Sequence, residues 1–389
     1  MLLPFKIAWR FLLSKKLQTL LVIFGIAIGV SVQIFIGLVS QGLEKTLVNK
    51  VLAYSPHISV YSKSGGFSDW QKEADQIRSN FPEVKAVSPN VNNQAWIKLE
   101  NMTIPILVRG FNISDTERLY NITAAIYEGS SSVNDNEALL GKELAERLGV
   151  KVGDEVSILT LGRQTRQTVT IKIVGLYDFG VAKINNAWVI TNLTTAQNFI
   201  GFGNKVTEIE LAIDDPFQAD VVSVKISSAL SREGEALYLS NWKDQNQLLV
   251  SAIVGQKLVT LVIQFFIMLA TIISIVNILT INVFQKSKQV GILKAMGLTD
   301  FSASLVFLYQ ALLLSLIGIA LSLGFLVVFL RGFNQYIVTA QGLPVVKVTM
   351  DYRFIGLSIL IFFVVSMSTA IFPALRCIKL NPIEVIKNA

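Results

Sequence analysis

The sequence has little of the chemistry on which most enzymes depend. Its 389 residues include one cysteine, Cys377, and one histidine, His57. A single cysteine excludes an intrachain disulfide, and these two residues cannot supply the cluster of ligands that a zinc site needs. A Ser-His-Asp triad would depend on His57, and the sequence lacks the G-x-S-x-G motif of such hydrolases. We therefore predict that this chain has no catalytic site, no metal and no cofactor of its own.

Charged residues are also scarce. They make up 16% of the sequence, whereas hydrophobic residues make up 52%; soluble domains carry about 25% charged residues. The deficit lies in four apolar runs without Asp, Glu, Lys, Arg or His: Leu17–Val39, Leu258–Val283, Ser302–Leu330 and Phe354–Phe372. Since a helix needs about 20 apolar residues to cross the bilayer core, each run predicts one membrane-spanning helix. The first run is too long for the apolar region of a cleaved signal peptide.

The basic residues lie beside these runs. The N-terminal leader, the segment between the second and third runs, and the C-terminal tail contain ten Lys and Arg but two acidic residues, Asp300 and Glu384. Because Lys and Arg favour the cytoplasmic side, we predict a multi-pass protein of the cytoplasmic membrane with both termini in the cytoplasm. The large segment from Ser40 to Lys257 is then extracytoplasmic. The basic balance reflects this topology, and we expect no nucleic-acid partner.

The leader has a pattern of its own. Phe5, Ala8, Trp9, Leu12 and Leu13 recur at helical spacing between basic residues. This indicates an amphipathic helix in the membrane interface. The same residues are equally consistent with a simple basic flank of the first span.

The extracytoplasmic segment alternates between strand and helix patterns, which predicts an α+β domain inserted between the first and second membrane helices. The expected strands are His57–Tyr61, Ala95–Glu100 paired with Ile104–Arg109, Val156–Leu161 paired with Val169–Val174 around Gly162, and Glu208–Ile213. The expected helices are Gln71–Asn80, Glu137–Leu148 ending at Gly149, and Phe217–Leu230. The predicted regions are 1–40 (leader and first span), 41–256 (outer domain), 257–284 (second span), 285–301 (cytoplasmic coupling segment) and 302–389 (third and fourth spans with the tail).

The chain does not carry its own energy source. Ion-coupled transporters place ionisable residues inside the membrane, and the four runs have none. The ATP-binding motif G-x-x-x-x-G-K-[ST] is also missing from the sequence. A transport function would therefore need a separate ATPase and a surface that contacts it. The basic stretch from Phe284 to Gly297 is the best candidate, either as a short helix joining two spans or as a plain loop.

A family resemblance favours the helix. GILKAMG, residues 291–297, resembles the coupling region of MacB/FtsX-type (type VII) ABC transporter permeases, and the tail FPALRCIKLNPIEVIKNA resembles the ending of the same family. The stretch ALLGKELAERLGVKVGDEVSILT and the stretch NWKDQNQLLVSAIVGQK are similar to the lipoprotein-releasing LolC and LolE permeases in particular. The resemblance covers nearly the whole chain through the order and spacing of these motifs.

The resemblance implies a mechanism and its partners. ATP and Mg²⁺ would be bound by a cytoplasmic ABC ATPase, and a second permease, identical or homologous, would complete the transporter. The family's contact with the ATPase falls here on the coupling residues, which are Lys286, Ser287, Lys288, Gln289, Gly291, Leu293 and Lys294. A candidate substrate path includes Gln33, Ile34, Gly37, Ile263 and Phe266. The substrate would be a lipoprotein or lipid-linked molecule, extracted by mechanical transmission rather than through a channel.

Two departures from the family bear on the partners. Acidic positions of the family's coupling region are Gln285 and Gln289 here, so neutral contacts or Lys286 and Lys288 would replace their ion pairs. The LolC hairpin that engages a periplasmic chaperone bears a hook with proline, whereas the matching stretch Thr160–Thr168 is short and lacks proline. A chaperone or adaptor therefore stays an open prediction. Three alternatives remain: a MacB-type exporter of peptides, drugs or haem, an FtsX-like signalling protein, and a receptor without an ATPase.

Overall fold

The structure is a computed structural model that describes residues 2–63, 65–99, 102–161, 166–230, 237–338 and 344–378. The chain forms two compact units. The membrane unit consists of Met1–Thr46 and Ser251–Ala389, and the outer unit consists of Leu47–Val250. The tail residues Lys379, Pro382, Glu384 and Lys387 and the predicted turn at Gly162 lie outside the described residues.

The helices and strands of the described residues are as follows. The helices are α1 (Leu2–Ser14), α2 (Lys16–Leu52), α3 (Trp70–Asn80), α4 (Ile113–Tyr120), α5 (Ile122–Ala125), α6 (Lys142–Leu148), α7 (Ala182–Asn185), α8 (Leu193–Ile200), α9 (Ala219–Leu230), α10 (Trp242–Gln245), α11 (Gln247–Ala295), α12 (Asp300–Tyr336) and α13 (Tyr352–Ile378). The strands are β1 (Ile58–Ser62), β2 (Val84–Leu99), β3 (Met102–Gly110), β4 (Ile126–Gly129), β5 (Glu137–Gly141), β6 (Glu155–Leu161), β7 (Arg166–Tyr177), β8 (Trp188–Thr191), β9 (Glu208–Ile213) and β10 (Leu237–Asn241).

Four helices of the described residues, α2, α11, α12 and α13, are long and apolar enough to cross a membrane. This confirms the four predicted spans and the α+β domain between the first and second. The helices continue past the apolar runs, because polar residues such as Gln and Lys also favour helix. Helix α11 has 49 residues, which corresponds to about 74 Å at 1.5 Å per residue, more than twice the bilayer core.

The coupling segment differs from the prediction. It is the last part of α11, which runs unbroken to Ala295, and not a separate short helix. The reason is local, since residues 284–295 contain no proline and five of them are Gln or Lys, which favour helix. Gly297 follows with a positive φ of 101°, a conformation that suits glycine and ends the helix.

Helix α2 is the centre of the membrane unit. Its buried side chains recur every fourth residue and share one face of the helix: Val22, Ile26, Val30, Ile34 and Leu38. They belong to one apolar cluster with residues of α12 and α13, among them Leu314, Leu326, Ile355 and Phe362. In the most apolar stretch of α2, 56% is buried, compared with 11% in the corresponding stretch of α11. Helix α11 therefore lies at the periphery of the unit.

The outer unit is built on a mixed sheet with the strand order β10-β1-β9-β2-β3-β8-β5-β7-β4, and β6 pairs with β2 and β7. The predicted pairings of β2 with β3 and of β6 with β7 are confirmed as antiparallel. Two of the apolar clusters in the core of this unit lie around Ile106 and Leu140 and around Tyr177 and Trp188.

The predicted helix Glu137–Leu148 is wrong over its first part. Glu137–Gly141 forms strand β5 between β7 and β8, and the helix begins at Lys142. A short apolar run such as Ala138-Leu139-Leu140 fits a buried strand or a helix equally well, so its position in the sheet decides. The helix ends at Gly149 as predicted, with φ at 68°.

Candidate functional site

Four elements meet at one end of the membrane unit, which we call the leader end: α1, the last turns of α11, the first turns of α12 and the last turns of α13. A small apolar cluster joins them, formed by Val283 and Val290 of α11, Ala303 and Phe307 of α12, and Ala374 of α13. Phe11 of α1 packs against this cluster. The amphipathic leader is thus a helix whose Ala8 and Leu12 are buried, while Phe5, Trp9 and Leu13 stay exposed.

Polar contacts connect the leader to the coupling residues. The Lys15 Nζ donates a hydrogen bond of 2.6 Å to Gln285 Oε1. The Lys286 Nζ lies 5.1 Å from the centre of the Phe11 ring, which is within the range of a cation–π interaction. The Lys294 Nζ lies 2.8 Å from Asp300 Oδ1 at the start of α12. These contacts join the leader to the end of α11, and the end of α11 to the start of α12.

The coupling residues fall into three groups by exposure. Lys288 and Gln289 are exposed and can contact a partner. Gly291 is buried, and the Lys294 side chain is only 4% exposed, so these two residues shape the end of α11. Of the remaining three, Ser287 hydrogen-bonds the Phe284 carbonyl, and Lys286 and Leu293 are half-buried. Their role in binding an ATPase stays a prediction.

Helices α2 and α11 meet along a ladder of polar contacts, which we call the polar seam. Gln18 donates to Asn282 at 3.3 Å, and Gln264 donates to the carbonyl of Gln33 at 3.1 Å. Farther along, Gln256 donates to Ser40 at 2.9 Å. The seam ends in an ion pair of 2.7 Å between Lys257 Nζ and Glu44 Oε1. The residue numbers rise along α2 and fall along α11, so the helices are antiparallel.

The middle of the polar seam is open. A cavity of about 280 Å³ lies between the helices, lined by Gly25 and Ile26 of α2 and by Thr271, Ser274 and Ile275 of α11, among others. Small residues allow helices to approach closely, yet nothing lies within 4 Å of a Cβ built on Gly25. The polar contacts lie above and below this cavity, while Ile275 and Leu279 of α11 belong to the same apolar cluster as the buried face of α2.

The candidate path residues lie on α2 and α11 and differ in exposure. Gln33, Ile34 and Gly37 are buried within the helix bundle, where a Cβ on Gly37 would meet the Phe354 ring. Ile263 and Phe266 lie on α11 and are 41% and 59% exposed. The carbonyl of Gln33 does contact Gln264, next to Ile263. The assignment of these residues to a substrate path stays a prediction.

The exposed side of α11 is continuous and apolar. Besides Ile263 and Phe266, it includes Leu258, Val259, Val262, Leu269 and Ile273. These side chains can contact either lipid or the helix of another membrane protein.

In the outer unit, the structure gives His57 a structural position. Its Nδ1 accepts a hydrogen bond of 2.9 Å from the backbone N–H of Ile213, and burial lowers the pKa of the imidazole. Among the described residues, no three His, Cys, Asp or Glu side chains come together as candidate metal ligands.

Sequence reasoning missed two groups of residues. The first is the set of amides in the polar seam, Gln18, Gln264 and Asn282. These polar residues lie inside apolar runs of the sequence, which was the feature that could have indicated contacts between the helices. The second is a buried ion pair between Arg109 and Glu210 of the outer unit. The alternating carboxylates of Glu208-Ile209-Glu210 within an apolar strand were a visible signal for it.

Comparison with known families and proteins adds an independent observation. The model of the MacB-like periplasmic core domain matches residues 19–229, and the model of the FtsX-like permease C-terminal region matches residues 261–382. The lipoprotein-releasing system transmembrane protein LolC of Buchnera aphidicola subsp. Schizaphis graminum is 21% identical, covering 96% of this chain and 94% of its own. The corresponding LolE protein of Haemophilus influenzae is 24% identical and covers 99% of both chains. LolC of Xylella fastidiosa (strain Temecula1) is 28% identical over 76% of this chain and 72% of its own.

Two solved structures are also similar. The periplasmic region of MacB from Actinobacillus actinomycetemcomitans is 11% identical, covers 51% of this chain and 94% of its own, and has a TM-score of 0.36. The extracellular domain of the ABC-type transporter YknZ from Gram-positive bacteria is 12% identical, covers 47% of this chain and 99% of its own, and has a TM-score of 0.35.

Proposed function

Since the chain belongs to the MacB/FtsX-type ABC transporter permeases, close to LolC and LolE, we propose that it is the permease subunit of a transporter that releases lipoproteins or other lipid-linked substrates from the cytoplasmic membrane. The observation that carries this proposal is the full-length likeness to proteins named as lipoprotein-releasing permeases. The likeness extends over both units of the chain and is not confined to one domain.

The energy comes from a separate cytoplasmic ABC ATPase, which binds ATP and Mg²⁺. The exposed Lys288 and Gln289 make the first contact with it, at the leader end. The Phe11 ring beside Lys286 and the hydrogen bond from Lys15 to Gln285 hold this end of α11 against the leader. A push on the coupling residues therefore acts on the leader and on α11 together.

Helix α11 transmits the push. It has no proline over its 49 residues, so the hydrogen-bond ladder of the helix is continuous and the element can move as a rigid rod. The hydrogen bonds of the polar seam are individually weak, about 0.6 kcal/mol in membrane proteins, and can exchange partners as α11 moves against α2. Release then proceeds by mechanical transmission, with the substrate leaving on the extracytoplasmic side.

A second permease, identical or homologous, covers the exposed apolar side of α11 in this proposal. In lipid, apolar side chains alone do not drive helix association, so the pairing also requires the close approach that small residues permit. A Cβ placed on Gly255 of α11 would have no atom within 4 Å, so this glycine leaves room for the close approach of another helix. Both termini lie in the cytoplasm, as the basic flanks predict.

One observation favours a second candidate function, a MacB-type exporter. Strand β6 ends at Leu161 and β7 begins at Arg166, so four residues connect them, and these contain no proline. The hairpin thus lacks the length for a chaperone-binding hook. A substrate that leaves by an adaptor, or without a carrier, would need no hook.

The test is purification of the tagged chain from its native host in mild detergent, with mass spectrometry of what co-purifies. We expect a stoichiometric ABC ATPase, together with a second permease if the pair is a heterodimer. The variant Lys286→Glu/Lys288→Glu should lower ATPase recovery at least about tenfold, because like-charge or unpaired groups at an interface are strongly unfavourable. The matched control, Lys72→Glu/Lys151→Glu, makes the same charge change at exposed positions of the outer unit and should leave recovery unchanged. If no ATPase is recovered even after cross-linking, the proposal is wrong.

A further inference from the structure

The outer unit contains buried charges beside a cavity. The cavity measures about 240 Å³ and is lined in part by Tyr61, Asn92, Arg109, Trp188, Glu208 and Glu210. Arg109, Glu208 and Glu210 are each 5% exposed or less. Nothing in the proposed transport function uses this site.

The strand register brings these residues to one face of the sheet. Glu208 and Glu210 are two residues apart on β9, so their side chains point to the same face. On β1, Tyr61 is paired with Glu208 and Ser59 with Glu210. The arrangement therefore belongs to the framework of the sheet and not to a loop.

Glu210 has its own cation. The Nη2 of Arg109 lies 2.5 Å from Glu210 Oε1, and the Tyr120 hydroxyl donates to Glu210 Oε2 at 2.6 Å. The guanidinium also stacks on the Trp188 ring, 4.1 Å from its centre. These contacts satisfy the charge of Glu210 and hold Arg109 in place.

Glu208 has hydrogen bonds but no cation of its own. It accepts a hydrogen bond from the side-chain amide of Asn92 and is hydrogen-bonded to Tyr61, and both of these partners are neutral. Glu208 therefore lines the cavity without an ion-pair partner among the described residues.

The balance of the cluster is one cation against two carboxylates. An unpaired buried carboxylate is costly by several kcal/mol, and apolar side chains of similar volume would avoid that cost. A cluster of this kind beside a cavity is typical of a binding site. The missing charge is positive, and the cavity is larger than a bare ion requires, since one water occupies about 30 Å³ of liquid.

We propose that this cavity binds a primary ammonium group, which pairs with Glu208. An ammonium has three N–H donors and no acceptor. The cavity offers further oxygens at Ser59 and Asn246; because Asn246 turns its Nδ2 to the carbonyl of Trp242, its Oδ1 is the atom left to accept. The rings of Tyr54 and Tyr61 also line the cavity and suit a cation.

Binding should compete with a proton. Burial, together with the charge of Glu210, raises the pKa of Glu208 to about 7. The groups that face it are Tyr61 on β1, Asn92 on β2, Arg109 on β3 and Glu210 beside it on β9. Burial raises the pKa of Tyr61, so it stays neutral. For Arg109, burial alone would lower the pKa, but Glu210, Tyr120 and Glu208 together raise it, so the guanidinium stays charged.

Glu208 is therefore the group of this cluster that changes charge between pH 6 and pH 8. It is mostly protonated at pH 6 and mostly ionised at pH 8. An ammonium that pairs with the ionised form should bind roughly tenfold more tightly at pH 8 than at pH 6.

The experiment is isothermal titration of the full chain, purified with its partners in nanodiscs, with two amines. Cadaverine represents a free diamine, and Nα-acetyl-lysine amide represents a lysine side chain of a polypeptide. The neutral isosteres 1,5-pentanediol and Nα-acetyl-norleucine amide serve as controls. We expect at least one amine to bind, with the tenfold dependence on pH, and neither isostere to bind. The tighter of the two amines identifies the source of the ammonium.

Two variants test the assignment to Glu208. Glu208→Gln keeps the shape of the side chain and removes its charge, so it should abolish amine binding at pH 8. Glu146→Gln makes the same change at an exposed position of α6 and should bind as the wild type does. If neither amine binds the wild type at pH 8, or if binding is equal at the two pH values, the proposal is wrong. Unchanged binding by a folded Glu208→Gln variant would also overturn it.

Discussion

Helix α2 has two interfaces of opposite chemistry. Against α12 it packs aromatic rings, with Phe24 and Phe325 at 6.1 Å and Phe35 and Phe333 at 5.7 Å between ring centres. Against α11 it makes the polar seam, with amides, hydroxyls and one ion pair around an open cavity. Close packing tolerates little displacement, whereas weak polar contacts can exchange. In the proposed mechanism, α12 is the fixed neighbour of α2 and α11 the movable one.

The largest expected effect comes from disrupting the fixed interface. A Cβ on Gly318 of α12 would lie 2.5 Å from Ile26 Cγ2 of α2, so Gly318→Leu should destabilise the protein by about 3 kcal/mol through overpacking. On the same helix, Gly324 has nothing within 4 Å of its Cβ position, and Gly324→Leu is the matched control. Thermal unfolding in detergent measures both. Equal melting temperatures for the two variants would contradict a tightly packed α2–α12 interface.

An intermediate effect on stability, but a larger one on function, is expected at the polar seam. Replacing Gln18 and Asn282 together by leucine removes one hydrogen bond of about 0.6 kcal/mol and leaves no unpaired group. The unfolding free energy should change by less than about 1 kcal/mol. Because the double variant has no polar contact to re-form at this position as α11 moves against α2, ATP-driven release should slow by a factor of roughly five or more.

The measurement compares melting temperature and release rate in the same preparation. The single variant Gln18→Leu serves as a reference, since it leaves the Asn282 amide without its partner. A double variant that releases substrate at the wild-type rate would show that the polar seam does not move.

The smallest effect is expected at the ion pair that ends the seam. The Lys257 side chain is 54% exposed and that of Glu44 is 12% exposed, so solvent screens the pair, and its coupling energy should be about 0.2–1 kcal/mol. A double-mutant cycle with Glu44→Gln and Lys257→Met measures it. A coupling energy above about 2 kcal/mol would make this end of the seam a fixed joint and weaken the contrast between the two interfaces.

The four spans could be predicted from the sequence because apolar runs such as Leu258–Val283 carry their own signal. The ends of α11 could not, since the polar residues within Gln247–Lys257 and Phe284–Ala295 place both stretches outside the apolar run. For the same reason the coupling segment was expected as an element separate from the span. Strand β5 was assigned to a helix because Ala138–Leu140 lacks any local feature that distinguishes the two.

The sites were harder to predict than the fold. Lys286 and Lys288 could be singled out by their place between two spans, but their separation into a held residue and an exposed one depends on Phe11, which is 275 positions away from Lys286. The pairing of Arg109 with Glu210 joins residues 101 positions apart. The first contact depends on helix packing and the second on sheet register, and a single sequence reveals neither.

The central claim is that a separate ATPase drives this permease to release a lipid-anchored substrate. The direct measurement uses the co-purified complex in proteoliposomes that carry a tagged lipoprotein from the native membrane, and it counts the lipoprotein that leaves the vesicles. The account predicts release that requires ATP and Mg²⁺ and is lost in the Lys286→Glu/Lys288→Glu variant but kept in Lys72→Glu/Lys151→Glu. Lipoprotein that stays in the vesicles despite ATP hydrolysis, or that leaves equally without ATP, would contradict the account.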